Sequence, residues 1–453
     1  MCVLSHAVLP SAWEGSKLVT DFIKGYPLAP IDETDFRQYR MNTVTTLFLT
    51  ALAVSSGLEY WLARRQARHV RLHRDHVPDA FRDRVSLEDH QKAADYTLAK
   101  GSLDDVGRIV GIAILLGFTL GGGIDAIAAV WNGWGLPPIT TGVGIVLTTL
   151  LASQLLELPL NLYQTFRIEE RFGFNRTTPR QFAIDLALQT GLSLVIGAPL
   201  LALILWVMDS AGAQWWIVAW AILMAFSILM SWAFPTLIAP LFNKFTPLAD
   251  ATLKARIEAL LERCGFRSEG IFVMDGSRRS GHGNAYFTGF GSNKRIVFFD
   301  TLVDSLDHDE IEAVLAHELG HFKRRHVLKM LAGTALVTLA GFALLGWLTG
   351  EDWFYQGLGV REQSHATALL LFMLVSPVFS VFLQPVVAYV QRRYEFEADD
   401  FAASQTRARY LVHALVKLYR ENASTLTPDP LYAAFHYSHP PAAIRIDHLS
   451  AKI

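Results

Sequence analysis

Apolar residues gather into seven stretches along the chain, over roughly 44–62, 109–131, 141–162, 182–207, 216–234, 327–348 and 366–390. Each is close to the ~20 residues that a helix needs to cross the hydrocarbon core of a bilayer. Between the fifth and sixth stretches the pattern changes. Leu253, Ile257, Leu260 and Leu261 recur at helical spacing across 249–264, which predicts an amphipathic helix. Residues 270–274 read as a short strand. Residues 284–290 and 295–299 read as two more, joined by the turn-rich Gly291-Ser292-Asn293-Lys294. Helix is expected again from Asp309. The pattern therefore predicts four segments: 1–235 with five crossings, a polar insert over 236–326, two further crossings over 327–391, and a polar tail over 392–453.

Lysine and arginine alternate across these connections. Nine follow the first stretch, from Arg64 to Lys100, and none falls in 132–140. Arg167, Arg171, Arg176 and Arg180 follow the third, and none falls in 208–215. Only Arg361 lies between the sixth and seventh, and Arg392 and Arg393 follow the seventh. Positive residues favour the cytoplasmic side. The alternation thus fits seven crossings, with the N-terminus outside or lumenal and both the polar insert and the C-terminus on the cytoplasmic side. Glu157, set among leucines, is expected to face a hydrated interior.

Composition agrees with a multi-pass protein in a lipid bilayer. The 453 residues are 51% hydrophobic and only 18% charged, below the usual quarter. A net charge of −2 leaves no nucleic-acid footprint. Two cysteines, Cys2 and Cys264, cannot build a four-cysteine metal site.

Candidate chemistry sits at the end of the insert, in His317-Glu318-Leu319-Gly320-His321. Histidines four apart share a helical face, so both imidazoles can reach one ion, and the intervening glutamate is placed to act as a general base. A zinc peptidase needs a third protein ligand and an open position. Glu395, Glu397, Asp399 and Asp400 are the candidates. Glu395 and Asp399 share a face, so one can bind metal while the other orients a histidine. Glu397 lies about 160° from Glu395 on the helical wheel, which favours a solvated charge. If the helices run on unbroken, His321 lies about 9 Å before the sixth crossing and Glu395 about 7.5 Å beyond the seventh, at 1.5 Å per residue. Two transmembrane rods would then hold the ligands near the inner membrane surface. The strand over 284–290 is a candidate edge for pairing with an extended peptide. His436-Tyr437-Ser438-His439-Pro440-Pro441 and Arg445 supply a possible oxyanion donor and a cation.

Together these motifs resemble the type I CAAX prenyl proteases, membrane-embedded zinc endopeptidases that process farnesylated proteins and the a-factor precursor. The resemblance rests on Ile168 to Asn175 with Thr177-Thr178-Pro179, on Gly283 to Phe287, on Lys294 to Val297, on the His317 motif, on Arg392 to Asp399 and on His436 to Pro441. It implies a mostly α membrane protein: seven transmembrane helices form a barrel around a hydrated chamber, with a cytoplasmic gluzincin-like α+β metalloprotease domain. It implies one zinc per chain held by His317, His321 and Glu395. Glu318 becomes the base, with Asp399 behind the ligands. His439, Asn284 and Arg445 become transition-state or substrate-positioning residues. The implied substrate is a peptide or protein, prenylated at a CAAX terminus. A quality-control metalloprotease indifferent to the lipid would share the same site. The resemblance fits either the endoplasmic reticulum or a bacterial inner membrane.

Overall fold

The computed structural model describes residues 43–266, 268, 270–288 and 295–453. The turn expected over 291–294, and everything before residue 43, lie outside the described residues. Among the described residues, six helices are long and apolar enough to cross a membrane, and one bent pair supplies a seventh. α1 (Thr43–His73) carries on through the arginine-rich segment beyond its apolar stretch. The second expected crossing is broken. α2 (Leu87–Phe118) and α3 (Gly123–Gly133) meet at 50°. At the break Gly122 has φ +75°, and a Cβ on Gly121 would lie 2.7 Å from the Gly117 carbonyl oxygen, so the glycine run is a steric requirement. α4 (Pro138–Tyr163) widens into a π-helical segment, Gln164–Glu169. α5 (Pro179–Ser210) starts where Thr178 Oγ1 accepts a hydrogen bond from the Gln181 amide at 3.1 Å. α6 (Trp215–Ala233) leads into the polar insert.

These helices expose their apolar faces. In the segment His326–Leu348 only 6% of the most apolar window is buried within the protein, and Val195 on α5 is 72% exposed. Soluble monomers rarely carry apolar patches beyond a few hundred Å². Lipid is the solvent that such faces require, and helices satisfy their own backbone hydrogen bonds within it. The chain is a multi-pass integral membrane protein. Glu157 is exposed on α4 and is absent from the lining of the cavity described below.

The insert contains a four-stranded sheet of order β1-β2-β4-β3, from β1 (Phe245–Pro247), β2 (Gly270–Met274), β3 (Ala285–Thr288) and β4 (Arg295–Phe299). β2 and β4 are parallel. β3 pairs antiparallel with β4 from Ala285 opposite Phe298 to Thr288 opposite Arg295, which leaves β3 at the edge. Short β1, which contains Pro247, has no sequence signal. α7 (Ala251–Cys264) buries Leu253, Ile257 and Leu260 in a core shared with Ile296, Phe298 and Ile311. α8 (Asp300–Ser305) precedes α9 (His308–Lys323), whose start is fixed by a capping box: the Glu310 amide donates to Asp307, and the Asp307 amide donates to Glu310.

α9 does not run on into the sixth crossing. It stops at Lys323, Arg325 adopts left-handed geometry at φ +58°, and α10 (His326–Leu348) starts in a new direction. The expectation of two continuous rods therefore holds on one side only. After short α11 (Asp352–Gly357), α12 (His365–Ser380) passes through a 3₁₀ turn into α13 (Gln384–Gln405), which carries Glu395 without interruption. α14 (Ala408–Glu421), α15 (Pro430–His436) and α16 (Ala442–Ser450) complete the chain. Near the membrane end of α5, Asp185 accepts two hydrogen bonds from Arg279, both at 2.8 Å. That fork ties a crossing to the loop ahead of β3.

Candidate active site

α9 and α13 pack backbone against backbone. A Cβ on Gly320 would lie 2.9 Å from Ala398 Cα, so the glycine of the histidine motif lets the helices approach. The approach places Glu395 opposite both imidazoles. His317 Nε2 and His321 Nε2 are 3.2 Å apart, and they lie 3.4 and 3.3 Å from the two Glu395 carboxylate oxygens. Ligand atoms of one tetrahedral ion at 2.0–2.1 Å lie about 3.3 Å apart; the separation of the two imidazole nitrogens matches that, and each nitrogen faces a different oxygen of the one carboxylate. Glu395 Oε2 is buried and has no hydrogen-bond partner. A buried carboxylate facing two imidazole nitrogens is a donor set suited to a divalent cation, and these are the residues that could hold one.

A second layer holds these three side chains. Asp399, fully buried, accepts from His317 Nδ1 at 2.9 Å and takes a two-pronged bond from Arg445, at 2.9 and 2.6 Å. Arg445 Nη1 is 3.4 Å from Glu395 Oε2. Burial alone would lower the pKa of His317, but its bond to Asp399 and the facing Glu395 carboxylate outweigh burial and hold it up at about 9 in the metal-free protein.

A cavity of about 1020 Å³ opens over these groups and is lined by His317, Glu318, Glu395, Asn284, His439 and Arg445, among others. Glu318 is half-buried there. Asn284 stands at the head of β3, where its carbonyl accepts from the Phe299 amide and its side-chain oxygen from the Ala285 amide. His439 Nε2 is 3.4 Å from Glu395 Oε1, while Nδ1 is 2.9 Å from Ser438 Oγ. Although the His439 ring is exposed, partial loss of surrounding water pulls its pKa below its usual value; Glu395 opposes that shift and Arg445 reinforces it. Six of the eight residues singled out from sequence line this one cavity, while His321 faces Glu395 beside it and Asp399 lies buried behind His317. Arg445 is buried like Glu395 and Asp399, and its guanidinium is engaged by both of those carboxylates.

Two groupings carried no sequence signal. His326 Nδ1 meets His321 Nδ1 at 3.0 Å, and His326 Nε2 meets Glu397 at 3.0 Å. The loop ahead of Asn284 is held by Asn422, which accepts from the Gly283 amide at 3.0 Å, and by His282, stacked on Phe174 with ring centres 4.2 Å apart. Only coordinates reveal pairings this distant in sequence.

Residues 66–244 match the family described as CAAX prenyl protease N-terminal, five membrane helices, and residues 247–453 match peptidase family M48. The chain is 34% identical over 446 residues to CAAX prenyl protease 1 of Saccharomyces cerevisiae, covering 91% of this chain and 97% of that one. It is 36% identical to the CAAX prenyl protease 1 homolog of Dictyostelium discoideum, covering 83% and 90%, and 30% identical to the human homolog, covering 86% and 92%. The crystal structure of S. mikatae Ste24p superposes with a TM-score of 0.82 at 32% identity, covering 90% of this chain and 99% of that one.

Proposed function

The chain belongs to peptidase family M48, with the membrane helices of the CAAX prenyl proteases, and from that premise we propose a zinc endopeptidase that cuts near the C-terminus of prenylated CAAX-type chains. The observation that carries the metal assignment is the convergence of His317, His321 and the buried Glu395 carboxylate beside the cavity. Zinc bound there supplies Lewis acidity, acidifying water and polarising a carbonyl.

The chain's own residues do the rest. The Glu318 carboxylate, beside the ligands in the cavity wall, accepts the proton lost by attacking water and passes it to the leaving amine. With Nδ1 accepting from Ser438, His439 carries its proton on Nε2, 3.4 Å from Glu395, where it can donate to negative charge developing on the scissile carbonyl oxygen. The open edge of β3 holds the peptide extended by main-chain pairing, with Asn284 at its start. Asp399 fixes the tautomer of His317. Arg445 anchors Asp399 and Glu395, so it acts beneath the metal, in place of the direct substrate contact that the resemblance implies. The charge alternation supports a cytoplasmic position for this site.

Purified Glu318→Gln tests the chemistry. It should retain one zinc per chain and lose cleavage of a farnesylated CAAX peptide. Activity surviving the substitution would remove Glu318 as the base. Comparing the farnesylated peptide with its unprenylated form tests the substrate: equal kcat/KM for both would favour the quality-control reading.

A further inference from the structure

We infer that Glu397 and His326 form a positioning relay for the second ligand histidine, equivalent to what Asp399 does for the first. The inference rests on the metal reading above. His321 Nε2 faces Glu395 and His317 in the cradle, so it must carry a lone pair there and its proton must sit on Nδ1. That Nδ1–H has one partner, His326 Nδ1 at 3.0 Å. His326 Nδ1 must then accept, which puts the His326 proton on Nε2, where Glu397 Oε2 accepts it at 3.0 Å. Every proton in the chain has one place, and the two ligand histidines each end on a carboxylate: His317 directly on Asp399, His321 through His326 on Glu397.

The backbone is built for this contact. On a continuous helix, residues five apart are about 140° apart around the axis and do not meet. His326 reaches His321 because the chain turns at Arg325, a non-glycine residue at φ +58°. Such geometry costs of order 1 kcal/mol or more and persists where the surroundings hold it. Here the surroundings are specific. The His326 ring lies flat on Tyr394, with ring centres 4.2 Å apart and an interplanar angle of 10°, and Tyr394 precedes the third ligand in sequence. Lys329 Nζ lies 3.8 Å from the same Glu397 oxygen and 5.1 Å over the Tyr394 ring, which keeps that carboxylate in place. His326 is buried and Glu397 about 37% exposed, so the relay runs from the cradle to the protein surface.

Carboxylate-backed histidines bind metal more tightly, and loss of such a partner typically weakens binding about 10–100-fold. His326→Ala should therefore lower zinc affinity by that order in chelator competition, and should shift the visible absorption of the cobalt-substituted protein. His326→Asn, whose side-chain oxygen can accept from His321, should recover part of the affinity. Glu397→Gln leaves the buried ring in place and should weaken zinc by a smaller factor, and that factor should vanish in the His326→Ala background. A histidine that only fills space would give no asparagine recovery and an independent Glu397 effect, and either result would overturn the relay. So would His326→Ala and Glu397→Gln proteins with the parent's zinc affinity and cobalt spectrum. If the parent protein itself takes up neither metal, the metal reading fails instead.

Discussion

Replacing Gly320 by alanine should move the carboxylate ligand away from the two imidazoles. The added methyl would sit 2.9 Å from Ala398 Cα, 3.1 Å from the Ala398 oxygen and 3.2 Å from Phe401 Cβ. Two of these atoms are backbone and cannot swing aside. Ordinary contact begins near 3.4 Å, so α9 and α13 must part by at least about 0.5 Å. Ala398 lies one helical turn beyond Glu395, so the carboxylate moves with it, and the 3.3–3.4 Å spacing to both histidines opens. Overpacking of this kind costs about 1–3 kcal/mol, which, if all of it falls on the ligand geometry, is about a 5- to 150-fold loss of zinc affinity. Chelator competition on the purified protein in detergent measures it, and cleavage at saturating zinc shows whether activity returns once the site is refilled. A Gly320→Ala protein with the parent's zinc affinity and kcat would refute the idea that backbone contact between these helices sets the ligand geometry.

Two further outcomes follow from the site's electrostatics. In the metal-free protein His317 is held at about 9, above its unfolded value of ~6.5. Its pairing therefore stabilises that form fully below about pH 6.5, and the contribution is lost as pH rises through about 9. Zinc has to displace the same proton, so uptake near neutral pH should release protons and strengthen towards pH 9. Calorimetry in two buffers of different ionisation enthalpy checks this, and identical apparent enthalpies would refute it. Asp399→Asn removes the closer of the two carboxylates that face the buried Arg445 and leaves only Glu395 at 3.4 Å; breaking a buried pair costs up to about 3–5 kcal/mol. The melting temperature of the metal-free protein should fall, and an unchanged melt would show that the pair contributes little.

Much of this molecule could be read from its residues. The seven apolar stretches correspond to the crossings, because a run of apolar residues about 20 long has few folded alternatives. The glycine run at 121–123 that breaks the second crossing was visible too, but glycines inside apolar helices often leave them straight. The pairing of His317 with His321 was legible because four-residue spacing encodes one helical face. The broken rod at Arg325 was not, since Lys323-Arg324-Arg325-His326 contains neither glycine nor proline to mark a stop. The same break hid His326, whose five-residue offset from His321 carries no periodic meaning until the chain turns. Glu397 does face away from Glu395, as the helical wheel indicates, but His326 occupies that side. The wheel gives direction and says nothing of what another segment brings to it.

The turn at Arg325 also means that the two halves of the cluster reach the membrane by different routes. Glu395 stands on α13, which runs on from α12 through a 3₁₀ turn, while the imidazoles stand on α9, set off from α10 by one left-handed residue. Because α9 and α13 touch backbone to backbone at Gly320, a helix tilt imposed by bilayer thickness would reach the carboxylate and the imidazoles as one body.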